Sequence, residues 1–423
     1  MSKAKTFFIL IIFFSSSYLI AQNQINSPYS RFGIGNLQSN ILSEFSAMGG
    51  VAIANSNAAI VNPYNPASYS TFKPNTFILS TGGIHQTTRM QTNKLQQIAN
   101  NSSFSHIILG FPINSRIGAS FGLLPFSSIG YHIEDSEENP EVGNIDYLYN
   151  GDGGLNMIYF GTGYKLSENL LIGANINYLF GGLNRQKEVI FTDEEIYSTR
   201  KKSSISLKGF YYQLGLQYYH NINENYRIVF GLSANNSTNI SSKRTVLTET
   251  YELVSSNFEI VKDTIENTTT GFTNSMVLPR NVGFGVSLEM KEWIIMADFS
   301  IMDWSEYRMF GDSDSLANSM RLSYGIQYTN DKMSSGKYWK LIKFRFGGKF
   351  EKSYLNLYNS QINERSLTFG LGLPLMKTKS EINFAIEIGE RGTTNNNLIK
   401  EQFLRFNLGL ALKDIWFVKR KYD

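Results

Sequence analysis

The sequence predicts an all-β protein, a transmembrane antiparallel β-barrel of about fourteen strands with an N-terminal hatch in its lumen. Three observations point there: a two-residue alternation of apolar and polar side chains, an alternation of short and long connections, and an export signal at the start of the chain.

The alternation is cleanest near the C-terminus. Leu404, Phe406, Leu408, Leu410 and Leu412 interleave with Arg405, Asn407, Gly409, Ala411 and Lys413, so a strand there has one apolar and one polar face. Ile382, Phe384, Ile386 and Ile388 repeat the pattern, as do Ile342, Phe344 and Phe346, and Leu367, Phe369, Leu371 and Leu373. A soluble sandwich alternates too, with its apolar faces turned inward. The period alone leaves the direction open. Composition favours lipid outside: charged residues are 17%, aromatics 14%, and 30 Phe, 24 Tyr and 35 Gly suit strands that meet lipid through aromatic surface. Trp293, Trp304, Trp339 and Trp416 fall near expected strand ends, where an interfacial girdle belongs.

Connections come in two kinds. Tight turns are expected at 113–116, 167–169, 221–225 and 290–292, and long polar loops at 132–153, 192–203 and 240–271. Short turns on one side and long loops on the other are the habit of outer-membrane barrels, and an even strand count puts both chain ends on the short-turn, periplasmic side.

Residues 1–21 read as a signal peptide: Lys3 and Lys5 precede the apolar run Phe7 to Phe14, and small residues lead to Ala21, with cleavage expected before Gln22. The apolar core is far shorter than the roughly twenty residues a membrane helix needs. The chain has no Cys, which removes a lipoprotein anchor, disulfides and thiolate metal sites together. Residues 22–73 differ from the barrel region, 74–423. They are rich in small residues, with Ala47, Gly49, Gly50, Ala52, Ala54, Ala58, Ala59 and Ala67, and suit a hatch packed in a confined lumen. A periplasmic extension is the alternative.

Several chemistries find little support. The net charge of +4 is small and no basic run is interleaved with aromatics, so nucleic acid is not expected as a partner. His85, His106, His132 and His220 lie apart without metal-ligand spacing, and no phosphate-cradling or nucleophile-elbow motif occurs. No metal, cofactor or catalytic residue is therefore expected. The acids of 132–153, Glu134, Asp135, Glu137, Glu138, Glu141, Asp146 and Asp152, read as a solvated acidic loop, with a calcium site as the alternative. On the polar face Lys343, Arg345 and Arg405 are placed to meet Glu381 and Glu387 as a lumenal charge network. Pro125, with Phe126 and Ser127, falls in the third candidate strand, where a proline removes a ladder donor. A break in the wall and the plain end of a short strand both stay open.

Three places carry a resemblance. Met48-Gly49-Gly50-Val51-Ala52 is followed by Asn65-Pro66-Ala67; Leu278-Pro279-Arg280 by Gly283, Gly285, Asp298 and Asp303-Trp304-Ser305; and the last third holds Arg345, Gly347 and Gly370-Leu371-Gly372-Leu373-Pro374. These resemble the FadL/TodX group of outer-membrane transporters. The resemblance implies a barrel in the outer membrane, a hatch bearing Asn65, Pro66 and Ala67, and passive diffusion of hydrophobic small molecules such as long-chain fatty acids or aromatic hydrocarbons. It also implies lateral exit at a kinked third strand, here Pro125, Phe126 and Ser127. Implied partners are membrane lipid and the hydrophobic ligand. The basic tail after Trp416 and the long 240–271 segment depart from the family and put substrate choice in doubt. Similarity to the PorV component of type IX secretion implies a second class, a non-transporting member of a secretion or assembly machine docked to other outer-membrane proteins. A lipid-acting enzyme, the third class, lacks a Ser/His or acidic constellation at the rim.

Overall fold

A computed structural model describes residues 27–415 apart from 39–40, 192, 194, 256–257, 312–313, 315, 331–337, 377 and 379. The expected signal peptide, the first residues of the expected hatch and the tail with Trp416 lie outside the described residues.

The wall begins with β2 (Thr76–Gln91), β3 (Gln96–Pro112), β4 (Ile117–Asn139), β5 (Gly143–Lys165), β6 (Leu170–Phe191) and β7 (Ser198–Asn221). The next two strands are each broken once, into β8 (Arg227–Asn235) with β9 (Thr238–Ser255), and β10 (Phe258–Leu278) with β11 (Asn281–Glu289). Then come β12 (Trp293–Met302) with the stub β13 (Arg308–Met309), β14 (Ser319–Thr329), β15 (Lys343–Leu357), β16 (Ser360–Pro374), β17 (Glu381–Arg391) and β18 (Lys400–Ile415). With the broken strands joined, the wall is a closed antiparallel barrel of 14 strands. β18 pairs with β2 from Lys400↔Gln91 to Ile415↔Thr76, so the sheet has no first or last strand. In hydrocarbon every backbone polar group needs an internal partner, and closure supplies it.

Exposure settles the direction that periodicity leaves open. Phe344, Phe346, Leu367, Phe369, Phe384, Phe406 and Leu408 are all exposed, while their alternates Arg345, Thr368, Asn383, Glu387 and Asn407 are buried. The barrel is apolar outside and polar inside, the reverse of a soluble sandwich.

The tight turns lie where expected, between β3 and β4, β5 and β6, β7 and β8, and β11 and β12. The long loops do not. Residues 132–153, 192–203 and 240–271 are mostly ladder, with Ile133↔Tyr149, Val189↔Thr199 and Glu249↔Thr264 among their cross-strand partners. They continue past the wall as mostly polar strands whose inward face still buries Ile145, Ile240, Val246 and Tyr251. No long apolar alternation marks them, although backbone pairing continues, with register shifts in 240–271. Trp304 is another departure. It is buried against Tyr354, with ring centroids 4.2 Å apart, so it belongs to the interior and not to a lipid-facing girdle.

Residues 27–72 run through the inside. They contain the two-residue strand β1 (Asn36–Leu37), a short helix α1 (Ser43–Ser46) and 3-10 turns at Pro28–Arg31 and Pro66–Thr71. Ser27 donates its backbone N–H to the Gly130 carbonyl (2.8 Å), and its hydroxyl to Glu401 (2.6 Å) near the start of β18. Both lie toward the long-hairpin end. Tyr69 and Phe72 press on Gly110 and Gly118, close to a tight turn. The first described residue therefore sits far from the short-turn end, and the chain ends themselves lie outside the described residues. The outer half of the interior is filled by an apolar cluster that includes Tyr29, Ile34, Ile129, Leu183, Trp304 and Tyr354.

Candidate functional site

Around most of the circumference each strand is paired along its length, but the seam between β3 and β4 is interrupted. Their ladder runs only from Pro112↔Gly118 to Ile107↔Leu123. Above that point both strands are irregular. On β3, Ser105 is passed over between Gly82↔His106 and Gly83↔Phe104. On β4, Phe126 is passed over between Pro125↔Asn156 and Ser127↔Leu155. Bulges of this kind bend a strand and end its pairing, and Pro125 has no N–H to offer a neighbour.

The N-terminal segment occupies the vacated edge. β1 pairs with β4 as Asn36↔Ser128 and Leu37↔Ser127. Gln38 N–H donates to the Phe126 carbonyl (2.9 Å), and its amide to Ser128 Oγ (3.0 Å). From the other side, Ser105 Oγ donates to the Ile41 carbonyl (3.2 Å). Asn36, Leu37 and Gln38 on one side and Ile41 on the other thus bridge two wall strands that do not meet there. Pro125, Phe126 and Ser127 all fall at this point, with Ser127 buried and the Phe126 ring turned inward against Tyr211. Phe104, Ile107 and Phe121 on the outer side of the seam are exposed.

Elsewhere the segment is held by polar pegs. The Asn65 side chain accepts from Ala67 N–H (3.2 Å) and donates to the carbonyls of Ile53 (2.7 Å), Leu216 (3.2 Å) and Leu232 (3.3 Å). Asn65 therefore caps the turn that Pro66 starts and ties it to two wall strands, and Ala67 is fully buried beneath. Contact is so close that the wall must lack side chains there. A Cβ on Gly215 would lie 2.1 Å from Asn65 Oδ1, and one on Gly347 would lie 2.4 Å from the Met48 carbonyl carbon. Asp298 Oδ2 accepts from the N–H groups of Ala52 (2.6 Å) and Ile53 (2.9 Å). Thr368 Oγ1 accepts from Gly49 N–H (2.8 Å). At the outer end, Tyr29 Oη donates to the Ile399 carbonyl (2.5 Å) and accepts from its N–H (3.2 Å); burial pushes this phenol up to about 12, so it stays a donor.

The charged residues singled out from sequence fall into two groups. Lys343 and Arg345 both pair with Glu381, and Arg345, 1% exposed, also donates to Gln327 (2.8 Å) and Asn383 (2.6 Å). Arg405 pairs with Glu387 (2.7 Å). Lys349 extends that second group, 3.0 Å from Glu387 and 2.9 Å from Glu364, while Arg321 pairs with Glu351 and Arg391 with Glu401. Lys349 and Glu351 share the inward parity of Arg345 on β15, and Arg391 that of Glu387 on β17, a signal that could have found them. Arg391 also donates to Asn36 (3.0 Å) and Ser27 (2.6 Å), joining the network to the N-terminal segment near the seam.

At the short-turn end a concavity of 820 Å³ lies between the segment and the wall, lined by Ser56, Lys73, Lys165, Glu168, Tyr219 and Arg227. Polar cavities of 30 and 80 Å³ lie between the segment and the charged wall, bounded by Gln38, Ile41, Arg321, Lys349 and Arg405. A larger concavity, 770 Å³, lies mainly on the lipid side, against Phe350, Leu367, Ile388 and Leu404.

A family model described as BamG matches residues 2–423. Among solved structures, the chain is similar to the toluene transporter TodX of P. putida (TM-score 0.60, 15% identity, covering 91% of this chain and 100% of that one). It is also similar to the toluene transporter TbuX of Ralstonia pickettii (0.59, 13%, 89% and 98%) and to a FadL homologue of Pseudomonas aeruginosa (0.57, 9%, 91% and 100%). At such identities the likeness is one of fold, a FadL-type barrel. No curated protein sequence matches.

Proposed function

The chain belongs to the BamG family, and from that premise and the geometry of the wall we propose that it is an outer-membrane barrel that admits hydrophobic small molecules and releases them sideways between β3 and β4. One observation carries this reading: above Ile107↔Leu123 the wall is completed by Asn36, Leu37, Gln38 and Ile41 of the N-terminal segment and not by its own strands. A segment held by a few hydrogen bonds can leave such a seam without breaking the ladder that makes the barrel stable. The segment acts as the hatch, and Asn65, Pro66 and Ala67 anchor its lower end while Asn36 to Gln38 and Ile41 close the side. Lateral release suits an apolar cargo. Burial is worth about 0.8 kcal/mol per CH₂, so a long chain that stays in lipid avoids several kcal/mol of hydration cost. Transport of toluene by the similarly folded TodX and TbuX supports the same class of cargo. The charge groups around Glu381 and Glu387 hold the polar interior in register.

A second reading, a docking component of an outer-membrane assembly, draws on two observations. The outer interior is filled by the Tyr29–Trp304–Tyr354 cluster, and the strands β4 to β7, β9 and β10 continue beyond the wall as a broad sheet. Proteoliposomes loaded with a fatty-acid-binding fluorophore separate the two. Entry of added oleate faster than through protein-free vesicles supports transport. Entry at the protein-free rate overturns it and leaves docking.

A further inference from the structure

On the side opposite the short turns, the inward face of β6, β7 and β9 changes character. Leu179, Leu183, Ile205 and Leu207 are buried in the apolar cluster, and just beyond them the same face carries Arg185, Lys187, Lys201 and Arg244. Register fixes their arrangement. Lys187 stands directly opposite Lys201, Arg185 opposite Ser203, and Arg244 opposite Ile205. The four cations line a concavity of 410 Å³ together with Gly33 and Asp314.

Like charges directly opposite in an antiparallel pair repel and destabilise it. Nothing in the ladder requires two lysines there, so the pair needs a counter-charge. The structure supplies little. Asp314 accepts from Gly33 N–H (2.8 Å), and Glu266 reaches Lys201 only at 3.8 Å. Among the described residues Lys187 has no ion pair. Arg185 donates one Nη to the Gly33 carbonyl (2.6 Å), and the Arg244 guanidinium lies 5.3 Å from the Phe310 ring centre, yet the Nε of each is buried without a hydrogen-bond partner. Among the described residues, four cations against two acids leave two positive charges unmatched. We propose that this vestibule binds a phosphate group carrying two negative charges, a phosphomonoester or diphosphate, seated between β6, β7 and β9. Two guanidinium forks and two ammonium groups offer more donors and more charge than one carboxylate can use, whereas a tetrahedral phosphate accepts from several directions at once. The site lies apart from the β3–β4 seam and does not depend on transport.

The phosphate can belong to a soluble compound or to a lipid headgroup of the outer leaflet, and two arms of one experiment tell these apart. The purified full chain in detergent is titrated calorimetrically with sodium pyrophosphate at fixed ionic strength, beside Lys187→Gln/Lys201→Gln and Lys187→Arg/Lys201→Arg. Saturable one-to-one binding is expected for the natural chain, weakened about tenfold or more in the Gln pair, by the worth of lost charge-assisted contacts, and kept in the Arg pair. In the second arm the proteins are held in phosphatidylcholine nanodiscs containing diphosphoryl lipid A, then re-extracted and assayed for retained lipid. Retention by the natural chain and loss in the Gln pair assigns the phosphate to a headgroup; pyrophosphate binding without lipid retention assigns it to a soluble compound. The Gln pair relieves a repulsion, so it should keep the heat-dependent gel shift of a folded barrel, and Arg244→Gln gives a second variant with the same expected loss. No saturable binding in either arm, or equal affinity in the natural chain and the folded Gln variants, overturns the proposal.

Discussion

The wall from β14 to β18 and the seam between β3 and β4 solve the same problem in opposite ways. In the first region every strand is paired to its neighbour, from Thr329↔Lys343 through Glu381↔Ala411, and the N-terminal segment only leans on the finished sheet through Thr368, Asn383 and glycines such as Gly347. In the second, the sheet is unfinished and the segment supplies the missing strand. The finished ladder and the edge closed by the segment are thus placed on different strands. The charges follow the division in part: the buried pairs of Arg345, Lys349 and Arg405 sit in the complete region, while the seam is held by the hydroxyls and amides of Ser105, Gln38 and Ser128 with the buried His106 imidazole, and Arg391 reaches it from the network through Asn36.

Damage to the complete region should therefore cost the most. Arg345→Met leaves Glu381 partly unpaired in a buried setting and strips a donor from Gln327 and Asn383, a change expected to cost about 3–5 kcal/mol. The midpoint of urea unfolding in detergent micelles checks it; a midpoint equal to the natural chain's shows that the network adds nothing to the wall. Changes to the segment should leave the wall standing. Ala67→Trp cannot fit where Ala67 is fully buried beside Gly173, so the lower end of the segment should detach. Brief proteolysis should then cut within residues 27–72 while the barrel keeps its heat-dependent gel shift, and resistance equal to the natural chain's contradicts the anchoring role. Asn65→Ala is the milder version. Loss of the bonds to Ile53, Leu216 and Leu232 should cost about 1–3 kcal/mol, read as faster amide exchange in the segment without a change in the wall. Smallest of all is Pro125→Ala. The β3–β4 ladder already ends at Leu123, so restoring an N–H should shift wall stability by less than about 1 kcal/mol, and a larger gain shows that the proline alone keeps the seam apart.

The contrast also explains what the sequence reveals. Phe344, Phe346, Leu404 and Leu408 alternate because one face of their strands is in lipid, so the complete region is legible residue by residue. Arg345 and Arg405 stand out for the same reason, as charges on the other parity. The hairpins at 132–153 and 240–271 are mostly polar and lack a continuous apolar row, so they carry little such contrast and read as loops. Asn36–Leu37 is a strand of two residues whose conformation is set by the vacated edge of β4, and nothing in its own side chains announces it. Pro125 marks the right strand, but the other half of the interruption, the bulge at Ser105, has no proline to show it. Asp298 shows in the sequence as part of a motif, yet its grip on Ala52 and Ile53 depends on a contact 245 residues away along the chain.

The most direct test of seam closure uses the natural absence of cysteine. Leu37 and Ser127 are direct cross-strand partners, a spacing that suits a disulfide, so Leu37→Cys/Ser127→Cys can fasten the segment into the seam. Leu367→Cys/Ile388→Cys, between two strands of the complete wall, is the control. Oleate entry into proteoliposomes is measured for each pair oxidised and after reduction. Closure by the N-terminal segment predicts that oxidation stops entry through the first pair, that reduction restores it, and that the control pair is indifferent. Undiminished entry through the fully oxidised first pair contradicts it.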